Sequence, residues 1–189
     1  HTARLMNCHD FTTPIKTEAL EKIASITPGN LTGIQLYCAG TEAVEAALRT
    51  ARAYTGKFEF FSFFRDFHGK TMGAVSLAAM DGISGPRAPG FHLVPSGHCY
   101  HCKFKLEYPA CDLHCVDYLE EAIMQEGTGQ VAGIVLEPIQ GWNGSIIYPD
   151  EFLPRLRELC DRLGILLIVD EVLTGCGRTG KMFCVEHYN

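Results

Sequence analysis

Asp170 closes the apolar run 165–169 and is followed at once by Glu171. A carboxylate at the end of an apolar strand costs free energy unless a cation or hydrogen-bond donors face it. It is therefore either a cap or ion-pair partner within the fold, or the counter-charge of a protonated ring nitrogen on a bound cofactor. Glu137 stands in the equivalent place after the apolar run Val131 to Leu136. Gly40-Thr41 opens a stretch of helical periodicity, where free backbone N–H groups and a hydroxyl suit an anion such as phosphate. A glycine followed by an N-cap is also an ordinary turn into a helix. Phe67-His68-Gly69 places a flat ring in a turn beside an imidazole, suited to stacking on a planar ligand or to filling the core.

A second group of reactive side chains lies apart from these. Cys99-x-x-Cys102 is followed by Cys111 and Cys115, with His98, His101 and His114 interleaved. Two close pairs across a short spacer fit a tetrahedral Zn site or an iron–sulfur centre. The same residues also read as free thiols in a loop, or as a disulfide made on oxidation. Gly175-Cys176-Gly177-Arg178-Thr179-Gly180 has the G-x-G-x-x-G spacing, but no clear apolar helix follows and no room remains for an acidic ribose ligand, so it is no dinucleotide site.

The elements that must position these residues follow from hydrophobic period. A helical stretch starts near Pro14 and ends at Gly29-Asn30. Residues 31–38 read as a short buried strand and 41–54 as a helix with Thr41 at its N-cap. Residues 58–64 form a second strand and 70–79 a helix. Residues 81–110 are rich in Gly, Pro and His with little periodicity, a long excursion of the kind that usually carries function. A helix over 116–126, a strand over 131–136, a helix over 150–163 and a strand over 165–169 complete the series. Continuously apolar strands alternating with helices predict an α/β, three-layer fold, a mostly parallel sheet with helices on both faces. In such sheets ligands bind at the carboxyl ends of the strands, which is where Gly40, Thr41, Phe67, His68, Glu137 and Asp170 fall.

Composition narrows the class. Apolar residues make up 47% and charged residues 20%, as in globular proteins. A net charge of −6 argues against a nucleic-acid partner. No apolar run approaches the ~20 residues of a membrane span, and no secretory signal is present, so the nine cysteines suggest a reducing, cytoplasmic setting.

Taken together, residues 39–47, 67–74, 137–141 and 169–181 resemble, in order and spacing, the class III aminotransferases of pyridoxal-phosphate (PLP) fold type I, the family of 4-aminobutyrate and ornithine aminotransferases. The resemblance covers nearly the whole chain. It implies that Gly40 and Thr41 hold the phosphate of PLP, that Phe67 and Val172 lie on opposite faces of the pyridine ring, that His68 belongs to the same cofactor-binding set, and that Glu137 supports the site close to Asp170. Asp170 is implied to bind the pyridinium nitrogen and to be the catalytic residue present. It also implies an amine or amino-acid donor, a keto-acid acceptor and a homodimer. Residues 1–189 are then a partial PLP-binding large domain with a Cys-rich insertion at about 95–116. The N-terminal part, the Schiff-base lysine and the C-terminal small domain are expected outside these residues, and such a piece alone is expected to be inactive. Lys181 belongs to the motif before that lysine. A possible metal at Cys99, Cys102, Cys111 and Cys115 resembles the iron–sulfur cluster of some relatives.

Two departures bear on specificity. Leu173 stands where the family often has a Gln that contacts the cofactor's hydroxyl, and Trp142 stands where 4-aminobutyrate enzymes carry an acid. The second weakens a 4-aminobutyrate assignment and leaves room for another amine donor, or for a racemase or epimerase on the same scaffold. A lysine-less metal-binding protein is the non-catalytic alternative.

Overall fold

The computed structural model describes residues 12–78 and 86–188, and the chain divides into two compact units, residues 1–36 and 37–189. Within the described part of the first unit lies helix α1 (Pro14–Ala24), begun by Pro14 and by Thr13, whose hydroxyl accepts from the N–H of Lys16.

The second unit is built on four parallel strands, β1 (Glu59–Phe63), β2 (Phe91–Val94), β3 (Val131–Leu136) and β6 (Leu166–Val169), in the order β2-β1-β3-β6. Every residue of β1 and β3 is buried, as a sheet covered on both faces requires. Helices α2 (Gly40–Thr55) and α3 (Met72–Ser76) cover one face. There Val44, Leu48, Ala51, Ala74 and Leu77 pack on Phe60 and Val135. Helices α4 (His114–Glu126) and α5 (Phe152–Leu163) cover the other, with Leu119, Phe152, Leu156 and Leu159 against Phe61, Phe63, Ile134 and Leu136. Gly56 and Gly164 end α2 and α5 in the left-handed conformation, at φ 69° and 63°. A short antiparallel pair, β4 (Ile139–Gln140) and β5 (Ile146–Ile147), folds the chain back after β3. No described helix is long and apolar enough to cross a membrane.

The α/β, three-layer architecture with a parallel sheet is therefore as expected, and several local readings change. Residues 31–38 are not a strand: they are irregular, with Leu31 and Leu36 well exposed, since an apolar run becomes a strand only where a neighbour supplies its hydrogen bonds. The helix expected over 70–79 is only Met72–Ser76, and α1 ends at Ala24. The excursion at 81–110 contains a strand, β2, whose Phe91, His92, Leu93 and Val94 pair with residues 60–63 of β1.

β3 and β6 approach unusually closely at Gly133. It lies opposite Leu166, and a Cβ added there would sit 2.6 Å from the carbonyl oxygen of Leu166. Gly133→Ala is expected to push the two strands apart and to destabilise the protein by about 1–3 kcal/mol, as overpacking does. Chemical denaturation of the variant beside the parent measures this, and an unchanged midpoint would show that the strands separate freely.

Candidate active site

Asp170 extends the β3–β6 ladder by one step, its N–H donating to the carbonyl of Leu136 at 2.8 Å. That fixes the carboxylate at the carboxyl end of the sheet. Its Oδ2 lies 2.8 Å from Nδ1 of His68, and its Oδ1 accepts from the N–H of Val172 at 3.0 Å. His68 follows β1 by five residues and is almost wholly buried. Its Nε2 faces Asp66 Oδ2 at 3.5 Å and Ser62 Oγ at 3.4 Å. Burial alone would pull the imidazole pKa down; the hydrogen bond to Asp170 and the charge of Asp66 outweigh it and raise it to about 9. His68 is thus a cation at neutral pH.

Glu137 holds the turn that carries Phe67. Its Oε1 accepts from the N–H of Phe67 at 2.7 Å and its Oε2 from the N–H of Gly141 at 3.1 Å. Burial, only partly offset by these donors, raises its pKa to about 7. The ring of Phe67 stacks on Trp142, centroids 5.1 Å apart and planes 22° apart, while Trp142 itself is exposed.

Gly40 and Thr41 do not follow a strand; they open α2 directly after the irregular segment. The N-cap is Ala39, and Thr41 is no cap: its hydroxyl meets that of Thr71 at 2.7 Å and accepts from the N–H of Thr71 at 3.3 Å. The hydroxyl is captured because Gly69, at φ 125°, passes so close that a Cβ would lie 2.3 Å from it. The N–H groups of the first turn of α2 have no helical carbonyl behind them and form the positive end of a 16-residue helix. Gly40 also lies against Val172: a Cβ on Gly40 would stand 2.9 Å from the Val172 side chain. The helix start and the strand end carrying Asp170 therefore adjoin, although Gly40 and Asp170 are 130 positions apart by their numbering (170 − 40).

Pyridoxal phosphate can be tested against this arrangement. A phosphate fits an exposed helix start where glycine permits close approach, and a protonated ring nitrogen fits a carboxylate that already faces a cation on its other side. The donor set and the cleared space at Gly40 and Gly69 suit the group. Gly40, Thr41, Phe67, His68, Glu137, Asp170 and Val172 are brought to one end of the sheet, with Phe67 beside Trp142 and Val172 exposed above Gly40. Asp66, two residues before His68, was not singled out from the sequence. Its signal is position, since an acid close behind an apolar strand, when buried, must be paired.

Cys99, Cys102, Cys111 and Cys115 also converge, on a small pocket shared with His98, His114, Phe104 and Tyr108. All four are free thiols. Burial raises Cys115 to about 12, with Cys99 and Cys111 adding to it, so it is not a ready thiolate. Among the described residues no group of three or more His, Cys, Asp or Glu is arranged to hold a metal ion.

The chain matches the family model "Aminotransferase class-III" over residues 2–189. It is 40% identical over 191 residues to a putrescine aminotransferase of Pectobacterium atrosepticum, covering 97% of this chain and 37% of that protein. Among solved structures, an (S)-enantioselective omega-transaminase from Thermomicrobium roseum superposes with a TM-score of 0.87 at 33% identity, covering 94% of this chain and 42% of the other. An amine transaminase from an uncultivated Pseudomonas species, solved in its PLP-bound form, gives 0.83 at 32% identity, covering 96% and 44%. The chain thus spans less than half the length of these relatives.

The buried His68 has a consequence for stability. Its folded pKa lies above its ordinary value of 6.5, so the protonated pair stabilises fully below pH 6.5 and is lost as pH rises through about 9. The unfolding free energy is expected to fall by on the order of 2 kcal/mol between those limits. His68→Gln is expected to show a shallower fall in that window. Urea titrations at a series of pH values measure both, and a parent profile that is flat there would contradict a charged His68.

Proposed function

The chain belongs to the class III aminotransferases, and on that premise we propose that the full-length protein is a pyridoxal-phosphate-dependent aminotransferase moving an amino group from an amine or amino-acid donor to a keto acid. The observation that carries the reading is the contact of Gly40 with Val172, which sets a helix start fit for phosphate beside the strand end that bears Asp170. When bound, PLP supplies an electron sink for the charge left as a proton departs from the donor. Asp170, hydrogen-bonded to His68, would keep the ring nitrogen protonated and so deepen that sink. The first turn of α2 and Thr41 would hold the phosphate, Glu137 fixes the backbone that presents Phe67, and Phe67 and Val172 would flank the ring. The covalent lysine is expected beyond residue 189. The named relatives are transaminases, which favours amino-group transfer over racemisation.

Trp142, exposed and stacked on Phe67, stands where 4-aminobutyrate enzymes carry an acid that pairs with a gating arginine. An aromatic face there suits a donor with a second ammonium group, by cation–π attraction. A diamine of the putrescine kind is therefore the donor proposed. A homodimer rests on the family resemblance, and a cytoplasmic location on the cysteine usage read from the sequence. A metal at Cys99, Cys102, Cys111 and Cys115 rests on their spacing and shared pocket alone.

Full-length protein given PLP is expected to gain a visible cofactor band and to transfer an amino group from putrescine to pyruvate or 2-oxoglutarate faster than from 4-aminobutyrate. Asp170→Asn is expected to lower that rate at least ~100-fold, in the range seen when a pre-organised charge is removed. Undiminished turnover by Asp170→Asn would defeat the assignment of Asp170, and a preference for 4-aminobutyrate would defeat that of Trp142.

A further inference from the structure

Asp66 has no part in the chemistry above, yet it is fully buried three residues after β1. Its Oδ1 accepts from Nε2 of Gln140 at 2.6 Å, and Gln140 is itself fully buried. Its Oδ2 makes no hydrogen bond and lies 3.5 Å from Nε2 of His68, an ionic contact, too long for a strong hydrogen bond. Burial pushes its pKa up; the carboxylate of Glu137 lies close by and opposes its charge, while the backbone of Glu137 favours it. The imidazole of His68 is the cation that faces it.

Stability alone does not account for this carboxylate. A buried ion pair is commonly no more stable than apolar residues of the same volume, and β1 ends in a run of phenylalanines where an apolar residue would pack readily. Three acids, Asp66, Glu137 and Asp170, surround one imidazole, and perturbed clusters of this kind gather where chemistry needs them. The imidazole spans two of them. One nitrogen meets Asp66 and the other meets Asp170, so what Asp66 does to the ring is passed on to Asp170.

We propose that Asp66 is a positioning residue for the cofactor: acting through His68, its carboxylate fixes the orientation of Asp170 and so sets how strongly Asp170 holds a protonated pyridine nitrogen. Gln140 fixes Asp66 in turn, and its own Oε1 accepts from Asn143, whose Oδ1 accepts from Arg65. The hydrogen-bonded chain thus runs from Asp66 to a surface arginine. The inference rests on Asp170 as the partner of the ring nitrogen, given under the proposed function.

The test uses the full-length protein and two ligands, PLP and its 1-deaza analogue, which carries carbon in place of the ring nitrogen. The parent is expected to bind PLP more tightly than the analogue. Asp66→Asn is expected to weaken PLP binding about tenfold, the scale of a typical coupling between sites, and to leave binding of the analogue unchanged. In a His68→Asn background the Asp66 substitution is expected to have no further effect on the ratio of the two affinities. Equal weakening of both ligands, or of neither, would overturn the proposal and return Asp66 to packing. If the parent itself does not distinguish the ligands, the reading of Asp170 fails, whatever Asp66 does. Should Asp66→Asn not fold, Asp66→Ser removes the same charge and is read in the same way.

Discussion

Asp170 is placed by a backbone hydrogen bond to Leu136 at the very end of a parallel sheet, where its carboxylate has left most of the surrounding water behind. Its partner His68 is 102 residues earlier, five residues past the end of β1, a strand two places across the sheet. Each offsets the other's burial, because an unpaired charge at that depth costs free energy. The contact between them ties the segment after β1 to the end of β6, while Glu137 follows β3 and Gly40 and Thr41 open α2.

Around that pair the chain is arranged by close approach rather than by long side chains. Gly40 clears room for Val172, Gly69 for Thr41, and Gly141 for the side chain of Leu173. Each glycine stands where a methyl group would collide, so the helix start, the turn after β1 and the turn after β6 can lie almost in contact. Glu137 serves the same end by a different means. It spans the gap between the Phe67 turn and the β4 strand through two backbone N–H groups, and it accepts a raised proton affinity as the result.

The sheet was legible where the chain is continuously apolar. Residues 59–63 and 131–136 are buried throughout, 166–169 are half-buried, and all three declare themselves by lacking a regular polar alternation. β2 was hidden because its four residues, Phe-His-Leu-Val, are flanked by glycine and proline and include a histidine, so nothing in their period separates them from loop. Residues 31–38 misled in the opposite sense: propensity was present and the neighbouring strand was not. Of the site, residue types at strand ends pointed to Asp170, Glu137, Phe67 and His68. Partnerships were out of reach, because Glu137 with Phe67 and His68 with Asp170 are contacts across 70 and 102 positions. Thr41 was read as a cap since caps are local. Its true partner, Thr71, is set by the packing of α3 on α2.

Trp142 is the single tryptophan of residues 1–189. Its indole lies flat against Phe67, one face covered and the rest open to water. Indole emission responds to the polarity and to the quenchers around the ring, so the fold has placed its own optical probe at the mouth of the site. Whatever slides in beside Phe67 must alter the surroundings of that indole, and occupancy becomes visible in the ultraviolet without any added label.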